Sequence, residues 1–286
     1  MILRKAKKLL AFAIVGGGLV LLANPALALD RAAAQKVVKE KGDAVVTLEV
    51  VLEEKYSYGG QQNERENKQE TIGVVLDETG LVVTALSNID PGQVFSKFTE
   101  SEDSYTTSLK SLKYILTDGT EIEAGVVVRD PDLGLIFLRP IEKPATKLTF
   151  LPTEDVPRPT VLDEIFSVER SGRITRRVVM AKSGEIMAVV DRPRLFYVPN
   201  ETLVTNHPGA PVFTADGKLL GLTTLYAFPG GRKTMGDNDK PYIEVIRPVA
   251  DIISIAKEAP DKVVETPAPS SADGETSGTK EVKPGT

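Results

Sequence analysis

The stretch NHPGAPVFTADGKLLGLTTL, residues 206–225, holds two runs of β-forming residues, PVFT and LLGLTTL, on either side of Asp216-Gly217. Asp-Gly is a tight-turn dipeptide, because both residues tolerate the left-handed backbone such a turn needs. Asn206, His207, Pro208 and Gly209 read instead as a loop that delivers the chain into the first strand.

The same grammar runs outward in both directions. TIGVVLDETGLVVTALSNI, residues 71–89, is two apolar strands around a turn that closes on Gly80. KYILTDGTEIEAGVVVRDPDLGLIFLRP adds three short strands, and EIFSVER, ITRRVVMAKSGEIMAV, RLFYVPNETLVT and KPYIEVIR continue the series. Residues 55–70 and 91–110 are polar and read as exposed loops, and 144–160, with four prolines, as a linker. DRAAAQKVVKEKGDA predicts a short helix before the first strand, and PVADIISIAKEA a helix after the last. Many short strands with turn residues between them indicate an all-β barrel or sandwich, and periodicity does not separate the two.

Composition narrows the function. Residues 1–28 carry a basic start, an apolar run of 14 residues and the small-x-small site Ala26-Leu27-Ala28. That is the pattern of a cleaved signal peptide, and the run is short of the roughly 20 residues a membrane span needs. An exported chain, periplasmic or extracellular and without a stable membrane span after cleavage, is expected. Losing that leader would move the net charge from −5 to about −9, which disfavours nucleic acid as a partner. There are no cysteines, so disulfides, thiolate zinc sites and a cysteine nucleophile are all excluded. No metal or other cofactor is expected.

Four blocks in order resemble the protease domain of HtrA-type trypsin-like serine proteases: IGVVLDETGLVVTALSNI, LTDGTEIEAGVVVRDPDLGLIFLRP, NHPGAPVFTADGKLLGLTT and YIEVIRPVADIISIA. The resemblance spans residues 44–258. It implies a chymotrypsin/trypsin-like double β-barrel with a short N-terminal helix and a C-terminal helix, and a cleft between the barrels. It divides the chain into a signal peptide (1–28), a helical segment (29–43), a first barrel (44–143), a linker (144–160), a second barrel with closing helix (161–258) and a tail without fixed structure (259–286). No peptide-binding PDZ domain fits in such a tail.

The resemblance also places the Ser-His-Asp triad, residue by residue. The histidine position falls on Ser87, the aspartate on Gly134 and the serine on Pro208. Attack on an amide needs a nucleophile, a base and a group that orients the base, and these three residues supply none of them. In the family the backbone N–H of the serine is an oxyanion donor, and proline has no N–H. The former oxyanion loop is Asn206, His207, Pro208, Gly209 and Ala210. His207 is the single histidine of the chain, so no shift of register restores a base near Ser87. The expected function is a non-catalytic module that binds an extended peptide or an envelope protein. The alternative is a serine-type endopeptidase with a relocated site using His207, or Ser87 or Ser183 with a lysine.

Three weaker patterns remain. DETG and DPDLG pair acids as calcium loops do, but without the ligand count, and turn chemistry accounts for Asp77 and Asp130. SGRITRR, residues 171–177, together with the preceding Arg170 clusters Arg170, Arg173, Arg176 and Arg177, read as a solvated strand face with an anionic partner as the alternative. FPGGRKTMGDNDK reads as a loop by composition, and the resemblance implies a place for it at the rim of the family's specificity pocket.

Overall fold

The computed structural model describes residues 30–58, 61–95, 105–200, 203, 208–227 and 242–267. Two closed antiparallel barrels of six strands each account for most of it. The first contains β1 (Val45–Tyr58), β2 (Gln61–Val75), β3 (Val82–Ala85), β4 (Tyr105–Ile115), β5 (Glu121–Asp130) and β6 (Leu135–Pro140), in the order β1-β2-β3-β6-β5-β4. The second contains β7 (Glu164–Arg170), β8 (Val179–Val190), β9 (Phe196–Pro199), β10 (Pro211–Thr214), β11 (Leu219–Ala227) and β12 (Tyr242–Pro248), in the order β10-β11-β12-β9-β8-β7. This is the double barrel that the resemblance implies. Helix α1 (Arg31–Lys41) precedes it, the short α2 (Pro91–Phe95) follows β3, and α3 (Val249–Glu258) closes it.

Alternation along the strands builds three cores. Val46, Leu48, Val50 and Leu52 of β1 point into the first barrel with Val82, Leu112 and Leu138. Ile165, Ile186, Val212, Leu220 and Ile246 fill the second. The opposite faces form a third core that joins the barrels. There Val45, Ile72, Val74 and Phe137 meet Phe166, Phe213, Leu222 and the α3 residues Val249 and Ile252. Phe166 and Phe213 stack with centroids 5.2 Å apart. Burying each such ring stabilises the barrel–barrel contact by about 2–3 kcal/mol.

A buried arginine ties the same junction. Arg170 ends β7 and donates to the carbonyls of Val45, Gly42 and Arg177, and to Asp43 Oδ1 and Thr117 Oγ1. It therefore does not belong to a solvated strand face, as the SGRITRR pattern suggested. Arg177 is also engaged, with Glu70 Oε1 at 2.5 Å. Arg173 and Arg176 are exposed, on the β7–β8 loop rather than on a strand.

Three further segments differ from expectation. Residues 55–58 and 61–70 are strand, not loop: β1 and β2 run on as a polar ribbon with β4 on its other side. Cross-strand pairs such as Lys68–Glu49 (2.8 Å) and Arg65–Glu54 (2.6 Å) stabilise it where apolar burial is missing. Residues 105–110, expected in a loop, form the start of β4. The tail is ordered at its beginning: Val264 and Glu265 bond to Val126 on the free side of β5, and Glu265 pairs with Arg129. Residues 268–286, like the leader 1–28, lie outside the described residues. The acids of the two candidate calcium loops serve as turn acceptors. Asp77 Oδ1 takes N–H groups from Thr79 and Leu81, and Asp130 Oδ1 takes those of Asp132 and Leu133.

Candidate functional site

The three positions singled out by the resemblance converge at the junction of the barrels. β3 ends in a 3-10 turn, Leu86–Asn88, and Ser87 is its middle residue. The two neighbours of Ser87 reach the other two positions. Leu86 N–H donates to the carbonyl of Gly134 at 2.8 Å. Asn88 Nδ2 donates to the carbonyl of Pro208 at 2.5 Å. One short turn of the first barrel thus holds the β5–β6 turn on one side and the loop before β10 on the other.

Gly134 and Gly209, the residue after Pro208, sit where an added side chain would meet the other barrel. Gly134 has φ +69°, and a Cβ there would lie 2.7 Å from Thr224 Oγ1 and 3.4 Å from the carbonyl of Leu225. The Thr224 hydroxyl donates to the Gly134 carbonyl at 2.9 Å, so the space for an orienting carboxylate is occupied. Gly209 has φ +101°, and a Cβ would meet Thr84 Oγ1 at 2.6 Å. Close approach of the two barrels requires glycine there.

The loop entering β10 is held by main-chain and hydroxyl partners. Gly209 N–H donates to the Thr223 carbonyl (2.7 Å), and Ala210 N–H to Thr223 Oγ1 (3.1 Å). Thr84 Oγ1 donates to the Ile72 carbonyl and accepts from Asn88 Nδ2, which completes a chain of bonds from β2 to Pro208. Ser87 Oγ is shielded from solvent and has no partner among the described residues. Asn206 and His207 lie outside the described residues. Ser183 is on β8, in the second barrel and opposite Phe166 in the sheet, not on the turn that carries Ser87.

Sequence reading did not single out Thr84, Asn88, Thr223 or Thr224, which do most of the positioning. Their only signal was polarity within or just after runs otherwise rich in Val, Leu and Ala. All four are buried, and a buried polar side chain is retained where it has a partner.

Beside these residues β11 runs on beyond its pairing with β10. β11 pairs with β10 as far as Leu222 and with β12 from Gly221 to Ala227. Next to β11 is a pocket of about 320 Å³ lined by Asp132, Arg194, Phe196, Tyr226 and Arg247. Arg247 lies against the Phe196 and Tyr226 rings, 5.6 and 5.4 Å from their centroids, and donates to the Leu133 carbonyl at 3.0 Å. Burial pulls the Arg247 guanidinium below its ordinary value, and Asp251 opposes this. Burial likewise pushes the Asp251 carboxyl up, against the attraction of Arg194 and Arg247.

Residues 71–222, more than half of the chain, match the family model described as a trypsin-like peptidase domain. No curated protein matches the chain.

Proposed function

The chain belongs to the trypsin-like peptidase domain family, and we propose that it is an exported, HtrA-type member that binds an extended polypeptide without cutting it. The observation that carries this reading is the Gly134–Thr224 contact. A hydroxyl sits 2.7 Å from where a Cβ would have to be, so the site is packed around the lack of an orienting acid rather than merely missing one. Pro208 removes the nucleophile and an oxyanion donor together. Binding needs neither. The β10 ladder stops at Leu222 while β11 runs on to Ala227, so an extended polypeptide can be accommodated beside β11, with the Arg247-lined pocket next to Tyr226 receiving one of its side chains.

The test is hydrogen exchange with and without an excess of an unfolded polypeptide. Protection gained in residues 224–227 and 132–134 supports strand addition beside β11. Unchanged exchange there at saturating polypeptide overturns it.

One observation favours the second reading, an endopeptidase with a rearranged site. Ser87 Oγ is buried at the junction with no partner among the described residues, and His207 adjoins Pro208 in sequence. In that case hydrolysis would depend on both residues.

A further inference from the structure

The segment that leaves α3 crosses from the second barrel to the first. Arg139 of β6, which is buried, donates from Nε to the Pro260 carbonyl at 2.9 Å and so fixes where the crossing begins. The far end is held by main-chain bonds. Val126 N–H donates to the Glu265 carbonyl at 2.9 Å, and the Val126 carbonyl accepts from Val264 and Glu265 N–H at 2.9 and 3.1 Å. The Glu265 carboxylate meets the fork of Arg129, whose Nη2 donates to Oε1 at 3.0 Å and whose Nε donates to Oε2 at 3.2 Å.

The first barrel is shaped to receive this segment. β5 pairs with β4 from Glu121 to Glu123, and farther along Val126 pairs with Glu265 in an antiparallel bridge. A Cβ at Gly125 would meet the Val263 side chain and lie 2.7 Å from the Glu265 carbonyl oxygen. Glycine therefore makes room for an incoming backbone and a small aliphatic side chain. Arg129 is oriented by the barrel itself. Its Nη1 donates to Asp90 Oδ2 at 3.0 Å, and Asp90 Oδ1 in turn accepts from Thr107 Oγ1 at 2.8 Å. The guanidinium thus presents its other edge to a carboxylate, a geometry that recognises acids in pairs of parallel bonds. Together these features select an extended segment with a valine and, two residues on, a glutamate.

The segment in place is lightly held. Val264 is 72% exposed, Glu265 is exposed and Val263 is half-buried. A few solvent-facing backbone bonds and one surface ion pair open far more readily than a barrel core. Release of this strand leaves both closed barrels intact.

We propose that the Gly125–Arg129 face of β5 is a polypeptide-docking site for extended segments of this Val-x-Glu kind, and that Val263–Glu265 is its resident, displaceable occupant. The site lies on the first barrel, whereas β11 belongs to the second, so the two are tested separately.

The probe is a fluorescently labelled peptide of residues 260–267, PDKVVETP, and the readout is its anisotropy with the full chain. In the parent the chain's own segment competes at an effective concentration on the order of millimolar. Val264→Pro with Glu265→Arg removes one donor and reverses one charge at exposed positions, so the circular dichroism spectrum should not change. This variant is expected to bind the peptide at least ~10-fold more tightly than the parent. Glu265→Arg alone should move affinity in the same direction by less. Adding Arg129→Gln to the double variant should abolish the gain, and the bound peptide should protect the Val126 amide from hydrogen exchange. Equal affinity of parent and double variant, or no binding by either, overturns the proposal. So does protection confined to residues 224–227, which would place the peptide beside β11 instead.

Discussion

The side-chain amide of Asn88 donates to the carbonyl oxygen of Pro208 at 2.5 Å and to Thr84 Oγ1 at 2.8 Å, so one residue of the first barrel positions the loop that leads into β10 of the second. Replacing it isolates two buried acceptors. Asn88→Ala is expected to cost about 1–2 kcal/mol, seen as a drop in melting temperature of ~2–8 °C. Asn88→Asp should cost more, because a carboxylate would face the Pro208 carbonyl. Thermal unfolding of the two variants beside the parent checks the order.

An acid placed at position 134 is expected to destabilise the fold. Gly134→Asp places a Cβ 2.7 Å from Thr224 Oγ1 at a backbone angle, φ +69°, that side chains rarely adopt. The expected cost is ~2–4 kcal/mol. Adding Thr224→Ala should recover part of it by vacating the space, while the backbone strain remains. Denaturant midpoints for the single and double variants measure the coupling. A Gly134→Asp protein as stable as the parent would show that the pocket for the acid is open after all.

Arg170 tests how the barrels are joined. Arg170→Met keeps the aliphatic stem but leaves the carbonyls of Gly42, Val45 and Arg177 without their donor. About 2–4 kcal/mol should be lost, and the loss should be concentrated at the junction. Hydrogen exchange is expected to rise first around residues 42–45 and 177–179, ahead of the barrel interiors.

Asp251 gives the fold a pH dependence of known sign. Burial holds its carboxyl above the ordinary range, so the folded protein binds a proton at pH values where the unfolded chain has lost it. Folding is penalised above that range, and the penalty is relieved as pH falls through the folded value. Asp251→Asn should therefore raise the melting temperature at neutral pH, by ~2 °C, and the gain should fade toward about pH 4. A gain that is constant across this range would mean that the charge on Asp251 is not the cause.

Much of this architecture is written in local residue chemistry. Val82–Ala85 and Leu135–Pro140 are short apolar runs between turn residues, and they are strands. Asp77 and Asp130 were legible as turn formers, and Pro248 as the start of α3. The β1–β2 ribbon was not legible, because strands such as Gln61–Lys68 are polar on both faces and are stabilised by partners distant in sequence. The course of Val263–Glu265 was hidden for a similar reason: three residues gain order from Val126 and Arg129, more than 130 positions away. At the site, the positions of Ser87, Gly134 and Pro208 came from the resemblance, and their convergence is a property of the fold. What no pattern could supply was Thr224 in the space of the missing acid. That contact joins residues 90 positions apart, and it is set by how the two barrels dock.

The most direct measurement is hydrolysis of an unfolded, fluorescently labelled polypeptide by the purified protein, beside His207→Ala and Ser87→Ala variants. The account predicts no release of label above buffer from any of the three, at enzyme concentrations where binding is saturated. Hydrolysis by the parent that disappears in His207→Ala or Ser87→Ala would contradict it and establish a working site at the junction of the barrels.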